Sequence, residues 1–297
     1  MTITNYHDPI LENLTILKRQ AEQIGRILLG NPLTRATGRR ILECAEQVSL
    51  SYSDLFYTKP VTLYCKHRQC PICQWRRSQR ACAEMHQLFD HKPNLAEGKW
   101  LFLTLTVRNC ETWNLRKTLN KMTMAFQRMT RRHFWRENVL GAIRYTEVDV
   151  GQSEPDTSHP HFHCLLLVRP SMFAGKNYMS EGRWADAWAS ALQEHYTPIV
   201  NVARLQGAPE EIRAQVVSLA GYSCKARTDE PNARWLITFA QQIRGLQLIQ
   251  ASGVLGMIGQ RLTREDFVEA KVSTLRERTH HGATFRWDNH SGSYYSI

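Results

Sequence analysis

The sequence predicts an α+β fold: a central antiparallel sheet flanked by helices, with a helical, zinc-binding element on its N-terminal side. Three observations predict it. Segments 99–107, 142–150 and 161–168 have strand patterns, and only the polar stretch 151–158 separates the last two, as in a hairpin. Apolar residues recur at helical spacing before and after these strands. Three of the eight cysteines crowd between positions 65 and 73, a density that suits a metal site better than disulfides.

The composition bounds the reading. A chain of 297 residues, 42% hydrophobic and 22% charged, is long enough for one large or two smaller domains with a real core. The net charge of +11 favours a polyanionic partner. No apolar run is long enough to span a bilayer. The start, Met1-Thr2-Ile3-Thr4, has no basic region or apolar core of a leader peptide, so the expected location is the cytoplasm.

Taken in order, Leu14, Leu17, Ala21, Ile24 and Leu28 mark an amphipathic helix over about 10–29, which Gly30-Asn31-Pro32 ends. A second helix is expected over 35–50, with Ile41, Ala45 and Val48 inward and Cys44 near that face. Then comes Cys65-Lys66-His67-Arg68-Gln69-Cys70-Pro71-Ile72-Cys73-Gln74-Trp75-Arg76-Arg77. The Cys70–Cys73 spacing places two thiolates on one zinc ion, and Cys65 adds a third. His67, Cys44 and Cys82 are the choices for the fourth. The stretch is basic and free of acids through Arg80, so Arg68, Arg76 and Arg77, with Trp75 for stacking, suit a nucleic-acid backbone.

Residues 91–98 read as a linker. Lys99-Trp100-Leu101-Phe102-Leu103-Thr104-Leu105-Thr106-Val107 is a strand. From 112 to 136 there is no acid. Leu115, Leu119, Met122, Phe126 and Met129 form the buried stripe of a helix. Lys117, Lys121, Arg128, Arg131 and Arg132 make its other face cationic, which a phosphate backbone explains better than a mixed solvated face would. On the strand over 142–150, Ile143, Tyr145, Glu147 and Asp149 share one side.

The next strand carries His159-Pro160-His161-Phe162-His163-Cys164-Leu165-Leu166-Leu167-Val168. Alternation points His161 and His163 the same way, so the two imidazoles can chelate one divalent ion. Glu147, across the hairpin, is the expected third ligand. A single histidine would read as a satisfied core residue, but a pair opening a core strand favours ligands; spacing alone equally allows Glu147 to be a surface carboxylate. Trp184, Trp188, Ala191 and His195 mark another helix, and Ile199-Val200-Asn201-Val202 a short strand. A further helix opens at Glu210-Glu211 and is expected to continue through Tyr222 to Lys225, one turn apart on one face. A tyrosine near a metal site can attack a phosphodiester. A neighbouring lysine can stabilise the developing charge. The tail, 242–297, shows no evident chemistry.

Together these motifs resemble the rolling-circle replication initiators of small bacterial plasmids, members of the His-hydrophobe-His (HUH) endonuclease superfamily. Phe102–Asn109, His159–Leu166, Leu219-Ala220-Gly221-Tyr222-Ser223-Cys224-Lys225 and the cysteine-bearing segments carry the likeness, over about residues 40–253. The resemblance implies an HUH-like sheet and a site-specific single-strand DNA endonuclease and strand transferase. It implies Tyr222 as nucleophile with Lys225 assisting, Mg²⁺ or Mn²⁺ on His161, His163 and Glu147, and structural Zn²⁺ on Cys44, Cys65, Cys70 and Cys73. The corresponding division is a zinc-bearing DNA-binding region over 1–95, a nicking and joining domain over 96–240 and a C-terminal extension over 241–297. The implied partners are origin DNA with a single-stranded or hairpin nick site, a host helicase and a DNA polymerase. The chain departs from the family pattern at Ser218, where relatives carry a water-activating Glu, and at Gly221, where they carry Lys. Strand rejoining then uses another group or a second tyrosyl transfer, including one within a homodimer. Two other readings remain: an HUH transposase or relaxase, and a non-catalytic zinc-dependent DNA-binding protein.

Overall fold

The computed structural model describes residues 8–52, 58–151, 156–223, 232–258 and 283–297. In chain order these form α1 (Pro9–Leu29), α2 (Arg35–Leu42), β1 (Gln47–Tyr52), β2 (Thr58–Thr62), α3 (Pro71–His91), β3 (Lys99–Thr106), β4 (Cys110–Glu111), α4 (Leu115–Thr130), α5 (His133–Asn138), β5 (Val139–Val150), β6 (Thr157–Val168), α6 (Glu181–Leu192), β7 (Val200–Arg204), α7 (Pro209–Tyr222), α8 (Ala233–Gln242), β8 (Ile249–Gly253), β9 (Thr284–Asp288) and β10 (Ser293–Ser296). The fold is α+β, with antiparallel strands and flanking helices, as expected. No helix among the described residues is long and apolar enough to cross a membrane.

The chain forms two compact units. The first holds residues 1–76, 226–237 and 266–297. Its sheet has the order β10-β9-β1-β2, so strands near the C-terminus complete a sheet begun before residue 60. Helix α1 is capped by Asp8, whose carboxylate accepts from the backbone N–H of Ile10 at 2.8 Å. It lies close against α2, where a Cβ at Gly38 would fall 2.6 Å from the Gly25 carbonyl oxygen.

The expected helix over 35–50 is shorter. It stops at Leu42, and Gln47–Tyr52 is a strand whose alternation buries Val48 and Leu50. Two features end the helix. Ala45 adopts a left-handed φ of 54°. The fully buried Lys18 ammonium donates to the carbonyl oxygens of Leu42 and Cys44, which a continuing helix would consume itself.

The second unit holds residues 77–225 and 238–265, and its sheet runs β7-β3-β6-β5-β8, with β4 also on β6. The strand carrying the histidines is therefore internal, between β3 and β5. Side-chain alternation gives the sheet two distinct faces. On one, Trp100, Ile143, Tyr145, Leu165 and Leu167 share a core with Met85 and Phe89 of α3 and with Ile212, Val216 and Ala220 of α7. On the other, Phe162 meets Phe126 of α4 and Trp188 of α6, ring centroids 5.9 and 6.1 Å apart. The expected linker over 91–98 is instead a short 3-10 turn, Pro93–Glu97. The Leu95 carbonyl in that turn accepts from the Trp100 indole N–H at 2.8 Å. Helix α7 runs to Tyr222, with Ser223 as its cap; the rest of the helical stretch expected to reach Lys225, with Lys225 itself, lies outside the described residues.

Candidate metal centres

The register of the sheet builds the first centre. Glu147 on β5 and Thr106 on β3 pair with His161, and Tyr145 and Thr104 pair with His163. Three donor atoms converge. His161 Nε2 and His163 Nε2 are 3.1 Å apart. Glu147 Oε2 lies 2.9 Å from His163 Nε2 and 3.4 Å from His161 Nε2. An octahedral ion with bonds of about 2.1 Å holds adjacent donors about 3.0 Å apart, so this triangle fits one face of such a site.

The outer nitrogens point to the same use. His163 Nδ1 lies 3.1 Å from Thr104 Oγ1, and His161 Nδ1 lies 3.3 Å from the His159 carbonyl oxygen. With Nδ1 as donor in both, each Nε2 is left as a lone pair facing the triangle. Phe102 stacks on the His163 ring, centroids 5.1 Å apart, and limits its rotation. His161 is buried, whereas Glu147 and His163 are partly open, which leaves room for a ligand on the outer side.

The electrostatics agree. Burial acts to raise the Glu147 pKa. Hydrogen bonds and charge from His161 and His163 outweigh it and bring the carboxyl down to about 2. Burial disfavours the charged form of His161, yet Glu147 raises its pKa on balance. A carboxylate beside two imidazoles is a donor set for a divalent cation.

Sequence reasoning passed over three neighbours. Thr104 was legible only as a strand residue, because its pairing with His163 comes from the β3–β6 register. Asp149 Oδ2 lies 3.9 Å from His161 Nε2. His159 Nδ1 lies 2.8 Å from Asn109 Oδ1, which joins the loop after β3 to the mouth of the site.

The second centre lies in the first unit. The Sγ atoms of Cys44, Cys65, Cys70 and Cys73 all lie within 4.8 Å of one another. Cys73 Sγ is 3.7 Å from Cys44 Sγ and 3.6 Å from Cys65 Sγ. Tetrahedral zinc with bonds of about 2.3 Å has sulfur–sulfur edges of about 3.8 Å, and these fit. The backbone N–H groups of Cys65 and His67 donate to Cys44 Sγ and Cys65 Sγ. Lys66 takes a left-handed φ of 58° to allow the second of these. Hydrogen bonding to Cys65 raises the Cys44 thiol pKa, and hydrogen bonding to Cys44 raises that of Cys70. Four sulfurs so close resist ionisation together unless a cation joins them.

Of the three choices for the fourth sulfur-site ligand, the structure brings Cys44 to the other cysteines. The His67 ring Nδ1 accepts instead from the Gln69 N–H at 3.3 Å. Cys82 belongs to the second unit and approaches the Val217 carbonyl oxygen at 3.6 Å.

Tyr222 is the last residue of α7 and is 56% exposed. Its helix packs on the sheet face that bears the histidines. Ser218, one turn earlier, is also exposed. Gly221 is buried, and a Cβ there would fall 2.5 Å from Cys82 Sγ. Ser78 also donates to the Gly221 carbonyl at 2.8 Å. This close approach of α3 and α7 leaves no room for a lysine side chain at 221.

The expected DNA-contacting residues are disposed unevenly. The Arg76 guanidinium lies 4.1 Å over the Tyr64 ring. Arg68, Trp75 and Arg77 are half-buried. Helix α4 buries its expected apolar stripe. Part of its cationic face is engaged within the protein. Lys121 pairs with Glu194, Arg128 Nε donates to the Ala191 carbonyl at 2.8 Å, and Arg132 donates to Ser190 Oγ at 2.7 Å. Two of these contacts lie in the last turn of α6, where cations are favoured. Arg131 and Lys117 are exposed.

In sequence the chain is similar to replication proteins. The sequence profile of the Rep_1 family, described as "Replication protein", matches residues 59–295. "Protein rep" of Streptococcus pneumoniae serotype 2 is 34% identical over 165 residues, 54% of this chain and 51% of that protein. "Protein rep" of Bacillus amyloliquefaciens is 37% identical over 184 residues, 60% of this chain and 53% of that one. "Protein rep" of Lentilactobacillus hilgardii is 30% identical over 240 residues, 76% of each. The chain thus spans about half the length of the first two relatives and three quarters of the third. No solved structure is significantly similar. The profile match over most of the chain places it in the Rep_1 family of replication proteins.

Proposed function

We propose that the protein is a plasmid rolling-circle replication initiator of HUH type. It nicks one strand at the origin by metal-dependent tyrosyl transesterification and rejoins it at termination. The observation that carries this reading is the triangle of His161 Nε2, His163 Nε2 and Glu147 Oε2, with edges of 2.9 to 3.4 Å. Family membership and the positive net charge support DNA as the substrate.

His161, His163 and Glu147 would hold Mg²⁺ or Mn²⁺, and two imidazoles favour Mn²⁺. The bound ion would supply positive charge against the non-bridging oxygens of the scissile phosphate. Thr104 and the His159 carbonyl keep both imidazoles in the Nδ1–H form. Tyr222 loses its proton, and its phenolate oxygen forms a bond to phosphorus. The bond from phosphorus to the 3′ oxygen breaks, and that oxygen takes up a proton. The products are a 5′-phosphotyrosyl link and a free 3′-OH for a polymerase. Lys225 would stabilise the charge that develops. The phosphodiester energy is kept in the link, so attack by a new 3′-OH rejoins the strand. The four cysteines would hold Zn²⁺ structurally. Arg68, Trp75, Arg76 and Arg77 beside them, with Lys117 and Arg131 on α4, would contact DNA.

Cleavage of an end-labelled single-stranded origin oligonucleotide tests the reading. Nicking should need added Mn²⁺ or Mg²⁺ and should fall at least about 100-fold in His161→Ala. Metal-independent nicking at the same position would refute it.

A further inference from the structure

The sheet face opposite the histidines carries a buried charge with no partner among the described residues. Arg144 lies there, in register with Cys164 on β6 and Gln250 on β8. It is 1% exposed. Among the described residues, its Nε, Nη1 and Nη2 have no hydrogen-bond partner. The guanidinium lies 4.2 Å from the Phe162 ring centroid and 5.2 Å from that of Phe126. Ring faces offset only part of the cost of taking a guanidinium out of water. Buried charges are ordinarily paired. Cys164 supplies no counter-charge, because burial pushes its thiol up to about 12.

Arg144 also lines a cavity of 620 Å³ formed by α4, α5, β5, β8 and the residues next to β8. The lining includes the amides of Gln127, Gln247 and Gln250 and the hydroxyls of Thr130 and Ser252. Arg144 is the one charged residue among those that line it. Gln127 and Ser252 are exposed, so the cavity has an open rim. Its volume suits a nucleotide-sized molecule.

We propose that this cavity binds a phosphate group, from a nucleotide or from a DNA strand, with Arg144 as its counter-charge. A guanidinium matches phosphate with two parallel hydrogen bonds. The amides and hydroxyls suit the polar edges of a base and sugar. The bound phosphate would exchange ring contacts of the Arg144 nitrogens for charge-assisted hydrogen bonds. The site lies on the other face of the sheet from the metal triangle, so its occupancy does not rest on nicking.

Thermal unfolding of the full-length, zinc-loaded protein, without added Mg²⁺ or Mn²⁺, tests the proposal. The probes are inorganic phosphate, deoxyadenosine 5′-monophosphate and an oligothymidylate lacking a terminal phosphate. A saturable rise in Tm is expected with at least one probe. Its apparent affinity should fall at least tenfold in Arg144→Met and hold in Lys92→Met, which removes an exposed cation. Ligand-free Arg144→Met should unfold no lower than the parent, because it removes a buried charge with no partner among the described residues. Saturation by the two small probes identifies a phosphate monoester site, and saturation by the oligonucleotide alone identifies a strand phosphodiester. The absence of any saturable shift, or a shift undiminished in Arg144→Met, overturns the proposal. If Arg144→Met does not fold, Arg144→Lys gives the same reading. It keeps the charge but loses the paired hydrogen bonds, so affinity should drop several-fold, and unchanged affinity overturns the proposal.

Discussion

Thr104 Oγ1 lies 3.1 Å from His163 Nδ1, across the β3–β6 ladder in which the two residues are direct partners. With the hydroxyl accepting from Nδ1–H, Nε2 is left free for a cation. Thr104→Val keeps the shape and removes this contact. Mn²⁺ affinity should fall about 10- to 100-fold, as for other outer-shell partners of metal-bound histidines. His163→Ala should abolish the site. Titration calorimetry on the zinc-loaded protein reads both. Equal affinity in the parent and Thr104→Val would show that the hydroxyl does not orient the ring.

The four-cysteine cluster predicts one zinc per chain by atomic emission. Cys70→Ser should lose that zinc and fold poorly, since metal binding of this type is coupled to folding. Cys82→Ser, which alters a cysteine outside the cluster, should keep it. A high-affinity chelator should lower the Tm of the parent. Retention of stoichiometric zinc in Cys70→Ser would contradict the assignment.

Lys18 is fully buried and donates to the Leu42 and Cys44 carbonyls, with Glu22 at 3.4 Å. Lys18→Met leaves both carbonyls unsatisfied. The expected loss is about 1–3 kcal/mol per carbonyl so exposed, read in denaturant unfolding. Zinc affinity should weaken with it, because Cys44 hangs on the same turn. A variant as stable as the parent would show that water takes over both bonds.

Gly221 faces Cys82 Sγ at a distance no Cβ tolerates. Gly221→Ala should cost about 1–3 kcal/mol, the range for overpacking. Cys82→Ala removes the obstructing sulfur, so the double variant should recover part of that loss. A coupling of at least about 0.5 kcal/mol is expected in the double-mutant cycle. Strict additivity would mean that the helices move apart freely.

Much of the site was legible because alternation is strict. The parity of His161 and His163 and the short hairpin made Glu147 the expected third ligand, and the β5–β6 register pairs it with His161. The helical stripe of α4 and the opening of α7 at its acidic first turn were equally plain. What sequence did not reveal came from non-local pairing. Nothing in the local pattern of Thr284–Asp288 names β1 as its partner, nor in Ile249–Gly253 names β5. The helix expected over 35–50 failed because apolar residues 41, 45 and 48 fit a helical period, while the alternation of Val48 and Leu50 fits a strand. The Lys18 contacts decided between them, and they come from another helix. The cationic face of α4 read as a DNA surface because Glu194 and the end of α6, which engage three of its cations, are distant in sequence.

The proposed function turns on attack by Tyr222 on a DNA phosphate beside the metal triangle. The most direct measurement is a denaturing gel with an end-labelled, single-stranded origin oligonucleotide, the zinc-loaded protein and Mn²⁺. The expected result is a protein–DNA adduct that survives denaturation, maps to Tyr222 by mass spectrometry of the peptide, and is absent in Tyr222→Phe and without Mn²⁺. An adduct of equal yield in Tyr222→Phe, or tight origin binding with no adduct under any metal, would contradict it.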